Sequence, residues 1–453
     1  MRLYFPVMPP ANTSPALPTD ALGRKVLCLA RAVADADGRA LLVGGYVRDL
    51  LLGQAPKDAD IEVYRLPVEK LRPLLSKLGR VDCVGESYRV YKLAWREGGE
   101  RWELDVSLPR RDRKTGEGHR GFEVEGDPFA SVEDAARRRD FTLNAILQDP
   151  LSGEIVDPFG GQADLASKVL RVVDEAHFGE DSLRVLRAMQ FAARFDLTLD
   201  ARTVSICRAI DLRDLPRERL WGEWQKLLLK APRPSVGLRA AFEMGILEQL
   251  FPYLQTALQR RGAEMLVTVD GAANERNELD EGRQSTLMLA ALGTFLGWRS
   301  RRGHGIERLL DDLGVYTQDS YDVRSNTIRL VGERKRATDW FRRRESVADG
   351  EFRLLSARLQ PRLIFHLTRA RGAIEAAAWF RARLEELQVF DGPPPPFLMG
   401  RHLLEMGLRP GPQIGRIVQA VYAAQLSGEV TDFEAARALA QRMIQSEKEI
   451  IAP

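Results

Sequence analysis

An α+β protein is expected from three observations. Short apolar runs broken by turns fill the region from Leu41 to Ile155, helical periodicity takes over after Asp181, and the composition supplies a core for both regions. Of 453 residues, 44% are hydrophobic and 29% charged, an ordinary globular balance that excludes a disordered chain and a collagen-like repeat. At about 150 residues per domain, the chain should hold roughly three packed units.

Met1 to Thr19 contains Pro and Ala but no continuous apolar run, so it reads as a loose tail rather than a secretory signal. Leu41-Leu42-Val43, Ala59 to Val63, Tyr88 to Trp95 and Trp102 to Leu108 read as strands. Between the second and third, Val68, Leu71, Leu74, Leu75 and Leu78 recur at the spacing of an amphipathic helix over 68–78. Arg110 to Gly121 is charged and glycine-containing, and reads as a mobile loop. Past Asp181, Leu183, Leu186 and Phe191, then Trp221, Trp224, Leu227 and Leu228, keep a helical period. Pro232-Arg233-Pro234, Gly271 to Gly282, and Gly392 with Pro393 to Pro396 punctuate the helices, the proline run being the clearest stiff linker. No repeat recurs at a fixed period of 20 to 50 residues.

The longest uncharged apolar stretch, Leu287 to Trp298, is shorter than the ~18–20 residues that span a bilayer, so no membrane segment is expected. Cys28, Cys83 and Cys207 are odd in number and far apart, which argues against a disulfide framework or a Cys-x-x-Cys metal site and fits a reducing, cytoplasmic setting. Net charge is small, with 67 Lys and Arg against 64 Asp and Glu. Its distribution is uneven: residues 322–371 hold thirteen Lys/Arg and six Asp/Glu, a patch that attracts phosphates or forms solvated helix faces.

Chemistry concentrates in the first region. Leu41 to Asp49 reads as a strand ending in Gly44-Gly45 and opening a helix that carries Arg48. Paired glycines let backbone approach a phosphate closely or simply permit tight packing. Next, Asp58, Asp60 and Glu62 alternate along a strand and share one face. Adjacent carboxylates repel, and a divalent cation held between them removes the penalty; oxygen donors of this type suit Mg²⁺. A third acid, Asp105, would complete a set for two-metal phosphoryl transfer, with Glu103 on the same face as the alternative.

With four markers in order, the chain resembles the class II tRNA nucleotidyltransferases and bacterial poly(A) polymerases. These are Gly44-Gly45-x-Val47-Arg48-Asp49, Asp58-x-Asp60, Arg137-Arg138-Arg139-Asp140-Phe141-Thr142-x-Asn144-Ala145 and Glu180-Asp181-Ser182-Leu183-Arg184-x-x-Arg187. The resemblance covers residues 41 to about 255. It implies a polymerase-β-like nucleotidyltransferase head with a five-stranded mixed sheet over 20–160, a helical neck over 161–232, a helical body over 233–371 and a tRNA-binding tail over 372–453. It also implies metal binding by Asp58 and Asp60, ribose contacts from Arg139 and Asp140, and a hold on the nucleotide by Asn144, with Gly44, Gly45, Arg48 and Asp49 beside it. The loop near 110–121 would help the pocket change from C to A.

Asp181 and Arg184 lie three residues apart on an expected helix. The plain reading is a surface ion pair worth a few tenths of a kcal/mol. There is a sharper one. Cytosine and adenine each set an amino donor beside a ring-nitrogen acceptor, so a carboxylate and a guanidinium side by side satisfy both, whereas guanine and uracil reverse the order. Unpaired buried polar groups then exclude the wrong base. The resemblance gives Asp181 and Arg184 this role with CTP and ATP, and Arg187 a supporting one.

Gln284 to Trp298 resembles the helix that carries the paired metal ligands of HD-type phosphohydrolase domains, but Thr294 and Phe295 stand at the ligand positions, and the five histidines do not cluster. A degenerate body without a second active site is therefore expected, the alternative being an unrelated helical body. Phe397 to Thr431 resembles tails that hold the tRNA elbow, although the basic stretch 322–371 is the better phosphate contact, the tail from Arg371 holding nine Lys/Arg against ten Asp/Glu. The reading as a whole is a Mg²⁺-dependent enzyme adding C, C and A to tRNA 3′ ends from CTP and ATP. CC-only or A-only addition, poly(A) synthesis, or an inactive RNA-binding protein remain alternatives, and the oligomeric state is open.

Overall fold

Five strands between Arg39 and Ser107 carry the principal sheet: β1 (Arg39–Val43), β2 (Ala59–Tyr64), β3 (Arg80–Val84), β4 (Val90–Glu97) and β5 (Glu100–Ser107). β6 (Arg110–Lys114) and β7 (Phe122–Gly126) form a separate antiparallel hairpin, and β8 (Leu147–Gln148) and β9 (Ile155–Val156) return to the sheet. The computed structural model describes residues 17, 19–56, 58–84, 90–114, 122–296 and 305–451. Most of the expected N-terminal tail, Tyr88, Trp298 and residues 115–121 of the expected loop lie outside these residues.

The order is β3-β4-β5-β2-β1-β8-β9, so the sheet has seven strands rather than five. The two extra strands are two residues each, too short for period-2 alternation to register in sequence. Only β2 and β5 run parallel; the other pairings are antiparallel, which makes the sheet mixed. β1 is central and buried at four of its five positions, as its run of Ala40, Leu41, Leu42 and Val43 requires. The expected loop at 110–121 is corrected in part: residues 110–114 pair with 122–126, Arg111 in register with Glu125 and Arg113 with Glu123.

Around the sheet, α1 (Ala21–Ala34) starts at Asp20, whose carboxylate accepts from Gly23 N at 2.8 Å. Helix α2 (Gly45–Leu51) follows β1 directly, and α3 (Val68–Ser76) buries Leu71 and Leu75, the centre of the predicted stripe. Then come α4 (Val132–Arg137), a 3₁₀ turn at Thr142–Asn144, α5 (Gly161–Ala166) and α6 (Leu183–Phe195). Gly161 is required where it is, since a Cβ there would lie 2.2 Å from the Thr142 carbonyl oxygen. Beyond α6 the described residues are helical apart from a few two-residue strands, as expected.

The chain divides into two compact units, residues 1–215 with 239–249, and residues 216–238 with 250–453. In the second unit a long helix, Pro252–Glu275, bends at Arg261, whose φ of −137° interrupts the helical geometry. Trp224 packs edge-on against Phe251 with ring centroids 5.3 Å apart. Buried Arg276 donates to the carbonyls of Leu228 and Ala231, both at 2.8 Å, and burial lowers its pKa to about 10. Trp340, Phe352 and Phe380 form an aromatic cluster, while Leu398, Leu403, Ile417, Val421 and Ala436 build a separate core near the C-terminus.

Candidate active site

β1 delivers the chain to Gly44, whose φ of +68° and ψ of −130° only glycine adopts without strain. A Cβ at Gly44 would stand 3.0 Å from Nη1 of Arg139. The close neighbour of Gly44 within the chain is thus a guanidinium.

Arg48, one turn into α2, is buried and begins a continuous polar chain. Its Nε and Nη2 donate to Asp49 Oδ1 at 2.8 and 2.7 Å, and its Nη1 donates to Asn144 Oδ1 at 2.7 Å. Asn144 Nδ2 donates to Asp140 Oδ1 at 2.9 Å, and Asp140 Oδ2 accepts from Arg187 Nε at 2.7 Å. Asp140 Oδ1 also accepts from Phe141 N at 2.8 Å. Five expected site residues, scattered from 48 to 187 in sequence, thus form one network, with the Arg48 guanidinium 4.3 Å from the Phe195 ring centroid. Asp140 and Asn144 are buried, and each is hydrogen-bonded on both sides within this network.

The three successive arginines divide their work. Arg137 pairs with Glu133 one helical turn away at 2.7 Å, the solvated-face arrangement. Arg138 and Arg139 turn towards Glu62, with Nη2 atoms 3.3 and 2.7 Å from its Oε1. Tyr64 donates its hydroxyl to the other oxygen, Oε2, at 2.7 Å. Glu62 is thereby a buried, fully engaged carboxylate, although in sequence it is equivalent to Asp58 and Asp60. The Tyr64 hydroxyl is pushed far above its ordinary pKa by burial and by the adjacent Glu62 charge.

Asp58 precedes β2 and Asp60 is its second residue; both are exposed by surface area. Asp60 stands in register with Asp105 on the parallel strand β5 and with Val43, the last residue before Gly44, on β1. Despite its exposed surface, protein atoms crowd round the Asp60 carboxylate. Its pKa is raised first by this desolvation and then by the Asp105 charge, with Asp58 and Glu62 adding and Arg139 opposing. Asp105 meets Lys92 of β4, its cross-strand partner, with Nζ 3.1 Å from Oδ1. Glu103 is ion-paired to Arg101 at 2.6 Å. Asp105 rather than Glu103 therefore bears on Asp60. Sequence reasoning misses Lys92, because a lysine in an alternating strand carries no signal until the register is known.

Among the described residues, no group of three acids, histidines or cysteines is arranged to hold a metal by itself. The donor set nevertheless fits Mg²⁺, which keeps waters and substrate phosphate oxygens and takes only one or two protein carboxylates. The negative charge gathered around Asp60 is what a divalent cation relieves.

Asp181 lies ahead of α6 in extended backbone, so it and Arg184 do not share a helix face as the spacing predicted. The 3₁₀ turn Phe178–Glu180 ends there, and α6 begins only at Leu183. Asp181 Oδ1 accepts from Leu183 N at 3.2 Å. Arg184 donates to the carbonyl of Arg138 at 2.7 Å and to that of His177 at 3.2 Å, tethering α6 to the arginine segment. In the second unit, Thr294 is buried with its hydroxyl donating to Ala290 O at 2.9 Å, and Phe295 lies under the Arg261 guanidinium at 5.0 Å.

Residues 40–171 match the family described as the Poly A polymerase head domain, and residues 197–258 that described as the probable RNA and SrmB-binding site of polymerase A. The multifunctional CCA protein of Xanthomonas campestris pv. campestris is 40% identical over 220 residues, 47% of this chain and 50% of that protein. That of Shewanella denitrificans is 36% identical over 256 residues, 55% of this chain and 56% of that protein. The chain spans about half the length of the curated relatives it matches. The Bacillus stearothermophilus CCA-adding enzyme in complex with CTP superposes with a TM-score of 0.66 at 20% identity, covering 95% of this chain and 100% of that one. The Thermotoga maritima CCA-adding enzyme complexed with tRNA gives 0.63 at 20% identity, covering 94% and 96%. Both likenesses show the fold.

Proposed function

We propose, from the matches of residues 40–171 and 197–258 to the two poly(A) polymerase family models, a template-independent nucleotidyltransferase that adds C, C and A to tRNA 3′ ends, using CTP and ATP. The observation that carries this reading is the register of Asp60 with Asp105 beside the Gly44 turn, in a unit where Arg184 is anchored to the carbonyl of Arg138. Our division of the chain is a head over 20–160, a neck over 161–232, a body over 233–371 and a tail over 372–453. The body is a degenerate HD-like scaffold, and the setting is cytoplasmic. Among the described residues no helix is long and apolar enough to cross a membrane.

Nucleotidyl transfer in this family is generally metal-dependent, and Mg²⁺ is the ion we propose for this chain. Bound at Asp58 and Asp60, with Asp105 as the third acid, it would supply Lewis acidity to the attacking oxygen and charge neutralisation to the triphosphate. The 3′ hydroxyl oxygen forms a bond to the α-phosphorus as its proton passes to water, and the bond from the α-phosphorus to the bridging oxygen breaks to release pyrophosphate. Asp181 and Arg184 select the base by offering an acceptor and a donor together, and a base with the opposite order leaves buried groups unpaired. Arg187 supports this pocket, while Arg48, Asn144 and Asp140 fix its floor. Gly44 gives Arg139 room against the turn, Gly45 gives Arg48 room, and Asp49 neutralises Arg48.

The test is incubation with Mg²⁺ and tRNA transcripts ending before CCA, after C and after CC, offering CTP, ATP or both. Addition of three nucleotides followed by arrest is expected. CC alone or A alone would indicate a divided pathway. Long A tails would establish poly(A) synthesis, and no product on any transcript would leave an RNA-binding protein.

A further inference from the structure

A cavity of about 330 Å³ in the second unit is lined by Arg334, Lys335, Arg342 and Arg371, with Asp339 the single carboxylate among its walls. Arg334 follows the helix Val323–Glu333, and Arg371 follows the helix Pro361–Ala370, so two separate elements bring cations to one space. Thr338 and Thr368 add hydroxyls, that of Thr368 donating to Ile364 O at 2.6 Å, so that its oxygen serves as an acceptor.

Little within the chain offsets these charges. Asp339 is 3.6 Å from Arg342. Arg334 donates to the Val331 carbonyl at 2.6 Å, a neutral partner that leaves its charge uncompensated. Among the described residues, the side chains of Arg371 and Lys335 make no ion pair. The Arg334 guanidinium is held below its ordinary pKa by burial and by the positive charges of Arg371 and Arg261. Four cations against one carboxylate in a concave, partly desolvated space repel one another, and an anion entering that space removes the repulsion while its hydrogen bonds become stronger than on an open surface. Guanidinium forks match the geometry of a phosphate's oxygens, and the volume is at the lower end for small-ligand sites.

We propose that the Arg334–Arg371 cavity is a binding site for a phosphoryl group, separate from the nucleotide-adding centre and independent of metal. The same chemistry is offered by a free diphosphate or phosphomonoester and by a phosphate of an RNA backbone. The RNA source rests on the proposed function; the small-anion source does not.

The experiment uses the full chain in EDTA, so that the acidic centre of the head holds no metal. Calorimetric titration with inorganic pyrophosphate and with AMP is set beside anisotropy of a labelled tRNA acceptor hairpin at several salt concentrations, for wild type, Arg334→Gln/Arg371→Gln and Asp339→Asn. If a small anion is the ligand, the double variant loses tenfold or more in pyrophosphate or AMP affinity, and Asp339→Asn gains severalfold. If RNA is the source, hairpin affinity falls and its log–log salt slope decreases by about one for each phosphate no longer neutralised. Unchanged affinity for all three probes in the double variant, with a thermal transition like that of wild type, would overturn the proposal. Should the double variant fail to fold, no gain in Asp339→Asn for any probe overturns it equally. Failure of wild type to extend any tRNA would count against the proposed function and leave this result standing.

Discussion

Arg48 and Asn144, ninety-six residues apart, are joined by a buried hydrogen bond of 2.7 Å from Nη1 to Oδ1. It ties the helix after the glycine turn to the 3₁₀ turn that follows Asp140. The charge on Arg48 makes this bond stronger than a neutral one, and its loss strands a buried guanidinium N–H. Asn144→Ala should destabilise the first unit by about 2–3 kcal/mol. Scanning calorimetry would register this as a transition lowered by roughly 4–10 °C. A shift within one degree would show that the network is dispensable.

Glu62 offers a second stability test, because two arginines and a tyrosine converge on it while its own side chain is only 3% exposed. Glu62→Gln keeps the shape and removes the charge, leaving two guanidiniums without their counter-ion. A loss of about 3 kcal/mol is expected, since removing one partner of a buried pair costs more than the pair contributes. Chemical denaturation with an unchanged m-value would measure it; equal midpoints for wild type and variant would refute the assignment.

Asp60 should behave in the opposite way. Its folded pKa is raised above the ordinary value, so the folded state retains a proton that the unfolded state has released. That stability is fully present below the unfolded pKa, about 3.9, and is lost as pH rises through the folded pKa. Asp60→Asn removes this loss, so its melting temperature should exceed that of wild type at pH 7 and converge with it near pH 4. On the proposed mechanism the same variant should also lose roughly a thousandfold in nucleotide addition. Wild-type and variant melting curves running parallel over pH 4–7 would contradict the desolvated-carboxylate account.

Arg184 separates specificity from stability. Arg184→Ala gives up hydrogen bonds to two backbone carbonyls, a modest effect of about 1–2 kcal/mol on folding. On the proposed mechanism its kcat/KM for CTP and ATP falls by about a hundredfold or more, while discrimination against UTP and GTP narrows. Competition assays with mixed nucleotides would read this directly. A uniform drop in rate with selectivity intact would assign Arg184 to holding α6 against the arginine segment and nothing further.

Strand and helix content, the turn at Gly44-Gly45 and the residues of the acidic strand are legible in sequence, because each depends on short-range periodicity or on a backbone conformation few residue types adopt. Period-2 alternation sets Asp58, Asp60 and Glu62 on one strand face, but it cannot reveal that Glu62 is buried under Arg138, Arg139 and Tyr64 while Asp60 stays at the surface. Nor can it tell that Asp105, not Glu103, stands opposite Asp60, since that is set by the register of β2 against β5, two strands separated by more than thirty residues. The start of α6 differs from expectation for a related reason: spacing suggests a helix through Asp181, whereas a 3₁₀ turn and the anchoring of Arg184 to Arg138 hold Asp181 outside it. Sequence by itself determined which residues are present with the right chemistry and which local elements carry them. Only the tertiary structure decided which charges neutralise one another and which remain unpaired, because Coulomb interaction and desolvation depend on distances across strands and helices that no local pattern encodes.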